Sequence, residues 1–165
     1  MRTLTAFLFV LSLASCGPAR PSEAPAPSGL AEVAFIHGGA GPWAVAGYRM
    51  GQAALSKLGL PRQSFVLLVV HHTPDKVQFS CIADGAAAAT GASVGKLNLR
   101  LTPASDADVA TTYTNHATGQ AVTLRPTAEF KARFTDVPRA ELGAAGARVM
   151  SLPDAQIFEE VLPSP

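Results

Sequence analysis

Residues 64–70 read SFVLLVV and run into His71-His72-Thr73-Pro74-Asp75. A short continuous apolar run with aromatic and β-branched residues is the pattern of a central β-strand covered on both faces. On such a strand His71 and His72 point to opposite faces, so the two cannot line one pocket together. Upstream, residues 43–58 place Ala46, Met50, Ala53, Ala54 and Leu58 at helical spacing, with Pro42 at the first helical position and Gly59 and Pro61 as the stop. Ala44, Ala46, Gly47, Gly51, Ala53 and Ala54 make this helix rich in small residues, which weakens its propensity at the glycines but lets another backbone approach closely. It therefore reads as buried.

Downstream, after Val77-Gln78-Phe79, a second small-residue helix is expected to begin with Ser80 as its cap and Cys81 in its first turn, and to end near Thr90-Gly91. Residues 97–101, 109–114 and 120–124 then read as strands, the last two joined by a turn over 115–119. Residues 126–150 read as helical in pieces, and 153–161 as a short helix or extended arm. Ahead of everything stands a short apolar stretch, 32–36, ending at His37 and followed by Gly38-Gly39-Ala40-Gly41. Helix, strand, helix, three strands and C-terminal helical segments define an α+β fold.

The 165 residues, 48% of them hydrophobic, suffice for one modest domain with a core of its own. Only 15% are charged and the formal net charge is +1, so no basic surface points to nucleic acid. At the N-terminus Arg2 precedes an apolar run, 4–14, much shorter than the roughly 20 residues that span a bilayer. Residues 1–15 read as a signal peptide. Leu13-Ala14-Ser15-Cys16 resembles a bacterial lipobox, which implies lipidation of Cys16, attachment to the membrane through it, and residence in the bacterial cell envelope, on the periplasmic side of an outer membrane in a Gram-negative cell. Residues 16–28, GPARPSEAPAPS after the cysteine, are the expected tether, and 29–165 the folded domain. Removal of residues 1–15 takes away one basic side chain, Arg2, and leaves basic and acidic groups equal. With Cys16 lipidated, Cys81 is the remaining thiol, so no intramolecular disulfide is expected.

Three familiar patterns fail on context. Gly39-Ala40-Gly41-Pro42-Trp43-Ala44 fits a dinucleotide fingerprint, but no Asp or Glu lies between Val33 and Pro74 to hold a ribose hydroxyl. Gly91-Ala92-Ser93-Val94-Gly95 fits a nucleophile elbow, yet its helix precedes the serine and its strand follows, the reverse of what that motif needs. Residues 91–96 approach a phosphate loop but are one residue short, with Leu97 in place of the magnesium-binding hydroxyl.

Cys81 near a helix start would have its thiolate favoured by the positive end of the helix dipole. Asp84, one turn on, shares its face and is suited to position a proton, a metal or a polar ligand. His37, between an apolar stretch and glycines, is the other chemical candidate, with a buried hydrogen-bonding role as the plainer reading.

These residues carry a family likeness. His37-Gly-Gly-Ala-Gly-Pro42, Gly47-Tyr-Arg-Met-Gly51, Ser80-Cys-Ile-Ala-Asp-Gly85 and Thr90-Gly-Ala-Ser-Val-Gly-Lys-Leu-Asn-Leu99 resemble, in order and spacing, the FmdE family associated with formylmethanofuran dehydrogenase. The resemblance implies an α+β fold with a mixed sheet, and a homodimer. It carries over His37, Tyr48, Arg49, Cys81, Asp84, Thr90, Gly91, Gly95 and Lys96. The family's H-G-H-x-C-P-G motif is altered: Gly39 stands at its second histidine, Gly41 at its cysteine and Trp43 at its last glycine, while Ala92 replaces a cysteine found in many members. A zinc-like divalent metal would be left with His37 and Cys81, supplemented by Asp84 or a vicinal histidine such as His71. Glycines in place of ligands imply an enlarged pocket for a small molecule, with Cys81, Asp84 and His37 as catalytic candidates and Tyr48, Arg49, Thr90, Lys96 and His71 as ligand contacts. Three classes of function follow: a lipid-anchored binder of a small ligand or metal, a non-catalytic envelope scaffold, and a thiol-dependent enzyme with Cys81 as nucleophile and a histidine base. The methanofuran reaction itself does not carry over, because a lipoprotein outside the cytoplasm would not readily join a molybdenum or tungsten enzyme.

Overall fold

The computed structural model describes residues 29–162, so the expected signal peptide, Cys16 and the tether lie outside the described residues. In chain order the elements are α1 (Gly29–His37), α2 (Pro42–Leu58), β1 (Leu67–Thr73), α3 (Val77–Thr90), β2 (Leu99–Pro103), β3 (Ala110–Asn115), β4 (Ala121–Pro126), α4 (Ala128–Phe134), α5 (Leu142–Ser151) and β5 (Phe158–Glu160). The strands form one mixed sheet in the order β2-β1-β3-β4-β5, with β1 and β2 parallel and the remaining pairs antiparallel. The protein is α+β.

The sheet departs from expectation at β1. The strand begins at Leu67, leaving Phe65 largely exposed, and runs on through His71 and His72 to Thr73. Pairing with β2 on one side and β3 on the other sets those limits, and Pro74 follows directly. Leu67, Val69, His71 and Thr73 are buried while Leu68, Val70 and His72 are half-buried, so the strand is sealed on one face and not on both. One element is additional to those expected, and the arm at 153–161 takes the extended one of its two readings. The stretch ending at His37 is a helix, α1, that sends one fully buried side chain, Val33, into the core. The C-terminal arm is a fifth strand, tied to β4 through Leu124 and Pro126 and through an Arg125–Glu159 contact of 2.8 Å.

α2 is the hub, touching α1, α3, α5, β3 and β4. Its limits follow the sequence signals: Pro42 opens it, and Gly59 in the left-handed region (φ 61°) closes it. Against α3 the contact is backbone on backbone. A Cβ at Gly85 would lie 1.8 Å from the Ala44 carbonyl oxygen, and one at Gly47 would lie 2.1 Å from that of Ile82. α5 makes the same kind of approach to the turn before α2, because a Cβ at Gly146 would lie 1.8 Å from the Ala40 oxygen. α4 is held by aromatics: Trp43 meets Phe79 and Phe130 edge-on at 4.8 and 5.0 Å, and its Nε1–H donates to the Phe134 carbonyl at 2.8 Å.

Candidate functional site

Two helix ends and a sheet edge meet at His37. Gly38, at φ 84°, turns the chain out of α1 and donates its N–H to Ala34 at 2.9 Å, capping the helix whose last residue is His37. The imidazole is thereby brought to α3, where its Nδ1 lies 2.8 Å from Oδ2 of Asp84. A carboxylate only accepts, so Nδ1–H is the donor and Nε2 is left without a hydrogen-bond partner among the described residues. In the neutral ring that second nitrogen is an acceptor. His37 lines a cleft of about 210 Å³ together with Cys81, Asp84, Val94, Arg100 and Leu101. It also borders a neighbouring hollow of about 250 Å³ between Trp43, Cys81 and Phe134.

Cys81 is not where its sequence context suggests. α3 starts at Val77 with Lys76 as its cap, and Ser80 lies inside the helix with its hydroxyl donating back to the Val77 carbonyl at 3.3 Å. The Pro74-Asp75 turn delivers the chain to the helix earlier than the Ser80 signal implies. Cys81 is thus a full turn in, beyond the unpaired N–H groups that would favour a thiolate. Its Sγ–H donates to the Gln78 carbonyl at 3.1 Å. Burial, with Asp84 nearby, pushes the thiol up to about 12. The group at the wall of the cleft is a neutral thiol.

The other expected site residues lie elsewhere. The Tyr48 hydroxyl donates to Glu32 at 2.9 Å, and burial, followed by that carboxylate, raises its phenol above the usual range. Arg49 reaches the last turn of α5, donating to the carbonyls of Met150 at 2.7 Å and Leu152 at 3.0 Å and pairing with Asp154. Thr90 closes α3, donating to Ala86 at 2.7 Å and accepting from the Ala92 N–H. Lys96 donates to the Gly91 carbonyl at 2.8 Å, with its ammonium over Phe65. His71 is fully buried: a carbonyl accepts at Nε2 (Phe79, 3.1 Å), so Nε2 carries the proton and the Thr111 hydroxyl donates to Nδ1 at 2.9 Å. Burial lowers this imidazole to about 4. The structure therefore brings together His37, Cys81 and Asp84, and builds Tyr48, Arg49, Thr90, Lys96 and His71 into the frame around them. Arg100, Val94 and Leu101 are added to the cleft. The sequence signal for Arg100 is a lone charge within an apolar strand.

The same geometry tests a resident metal. A catalytic zinc takes three protein donors and a structural one takes four. Among the described residues no group of three His, Cys, Asp or Glu side chains is placed to hold a metal ion. At the cleft the donors left are Nε2 of His37, whose Nδ1–H bonds Asp84, and the Cys81 sulfur, whose S–H bonds a carbonyl, two where three are needed. The donor set does not fit a zinc-like ion.

The class these features define is an α+β domain with a histidine–carboxylate pair at the mouth of an apolar cleft. Residues 36–159 match the family described as FmdE, molybdenum formylmethanofuran dehydrogenase operon, and the chain belongs to that family. No curated protein matches it significantly.

Proposed function

We propose that this FmdE-family protein is a binding module that takes a small molecule in the cleft at His37, held at the cell envelope by lipid on Cys16. The observation that carries the reading is the 2.8 Å His37–Asp84 pair at the mouth of a mostly apolar cleft. Asp84 fixes the ring and its tautomer, which leaves Nε2 to accept a hydrogen bond, while Val77, Val94 and Leu101 offer apolar contact. Asp84 is a positioning residue here. The neutral thiol of Cys81 supports a lining role over a nucleophilic one, since the thiolate is the reactive form.

A fragment screen on the full chain, read by amide chemical shifts, tests this. Hits should perturb His37, Asp84, Val94 and Leu101 and lose their effect in His37→Ala. Hits confined to the hollow between Phe35, Arg62 and Gly91, unchanged by His37→Ala, would overturn it. The anchor is tested separately: Cys16→Ser should move the protein from the membrane fraction to the soluble one, and unchanged membrane association would remove lipid from the proposal.

A further inference from the structure

The cleft at His37 borders a strand edge. β2 is the outermost strand, with β1 on one side only. Leu99, Arg100 and Leu101 all line the cleft, although neighbouring residues of a strand send side chains to opposite faces. In the parallel register Leu99 and Leu101 share the face of Val69 and His71 and floor the cleft beside α3, and Arg100 between them borders it where the strand has no further neighbour. The ladder shows which backbone groups face it. Val69 donates its N–H to the Asn98 carbonyl at 2.8 Å and stands level with Leu99 in the parallel register. Asn98, Arg100 and Thr102 thus turn their backbone groups toward β1, and Leu99 and Leu101 turn theirs outward. Neither outward pair has a hydrogen-bond partner among the described residues.

The opposite edge of the sheet is blunted. β5 is 3 residues long and carries Glu159 and Glu160 on it, paired with Arg125 and Lys57. β2 is longer, at 5 residues, and its one proline, Pro103, stands at the last position, beyond Leu99 and Leu101. Val94, 72% exposed, precedes the strand, Leu101 within it is 58% exposed, and Ser80, Cys81 and Asp84 of α3 form the facing wall of the trough. At its rim Arg100 forms no ion pair among the described residues.

The geometry points to β2 as a strand-addition site for an extended peptide that bears a carboxylate. The peptide backbone pairs with the outward N–H and C=O groups of Leu99 and Leu101, a side chain packs on Val94, and the carboxylate meets Arg100. The unpaired guanidinium selects an acidic chain. This rests on the reading of the cleft as the ligand site and names the class of ligand.

Amide hydrogen exchange on the full-length protein tests it with acetyl-AVTVE-amide as probe. The amides of Leu99 and Leu101 should exchange about tenfold more slowly with millimolar peptide, since a new ladder bond must open first. Peptide N-methylated at both valines should give no slowing, and replacing the peptide's glutamate with glutamine should weaken binding. Leu101→Pro, which removes an outward N–H at an edge position, should abolish the effect; Leu101→Lys, which blocks the trough while keeping that N–H, should weaken it if the proline variant fails to fold. No slowing, or equal slowing by the N-methylated peptide, would overturn the proposal. So would slowing that grows with protein concentration in the absence of peptide, which assigns the edge to a second copy of the chain. Fragment shifts at His37 and Asp84 without protection of Leu99 and Leu101 would leave the cleft reading standing and the peptide proposal refuted.

Discussion

The two sides of α3 are built on opposite rules. Toward α2, Gly85, Ala86 and Ala89 bring backbones into contact, and a single added methyl at Gly85 would strike the Ala44 carbonyl at 1.8 Å. Toward β2, Cys81 and Asp84 face a cleft bordered by exposed apolar side chains and an unpaired strand edge. The first side has density and no chemistry; the second has chemistry and room. Family likeness spans both, so a matched motif residue is more often part of the frame than part of the site. Motif matches alone do not separate the two kinds, whereas hydrogen-bond partners do: Arg49 is spent on α5, and His37 keeps a nitrogen for a ligand.

The sharpest break of this contrast is Gly85→Val. Overpacking costs about 1–3 kcal/mol and more where the obstacle is backbone, so this variant should unfold far earlier in urea or fail to fold. Near wild-type stability would mean that the helices are not in backbone contact. The buried His71 gives the next largest effect, through pH. Its imidazole titrates near 4 when folded and near 6.5 when unfolded, so the unfolded chain binds the proton first as pH falls. Its contribution is fully present above about 6.5 and is lost as pH drops toward 4, amounting to about 3 kcal/mol. Urea midpoints measured across that range should fall, and His71→Gln should flatten the fall.

On the open side the effects on stability are smaller. Asp84→Asn should change stability by less than about 1 kcal/mol, because the pair is partly exposed to water, while fragment binding at His37 is lost. A large loss of stability with binding retained would make the pair part of the frame. The smallest effect is expected at Tyr113, whose buried hydroxyl makes no hydrogen bond of good geometry among the described residues, with Thr111 close by. Tyr113→Phe removes an unsatisfied group and should be neutral or slightly stabilising by thermal melting; clear destabilisation would reveal a partner.

Much of the frame is legible in the sequence because it is written locally. Pro42 and Gly59 bracket α2, the small-residue stripe announces its close contact, and the turn at 115–119 joins β3 to β4. What is not legible depends on partners distant in sequence. α1 is held by Val33 in the core and by Glu32 and His37 bonding Tyr48 and Asp84, β5 exists through its pairing with β4, and the start of α3 is set by the Pro74 turn against the local signal of Ser80. The same holds for the site. Cys81 and Asp84 share a helix face by spacing, but the His37–Asp84 pair needs α1 to be docked on α3, and Arg100 joins the cleft only through the pairing of β2 with β1. The neutral thiol of Cys81 has the same origin, since its place in the helix dipole follows from the true start of α3 and its burial from the elements packed around it.

The most direct measurement is the tautomer of His37, read from the imidazole nitrogen chemical shifts of the wild type and Asp84→Asn at a pH where the ring is neutral. The expected result is a proton on Nδ1 in the wild type, held there by Asp84, and a shift toward the Nε2–H form in the variant. A wild-type ring protonated on Nε2 would contradict the pairing, and with it the acceptor presented to the cleft.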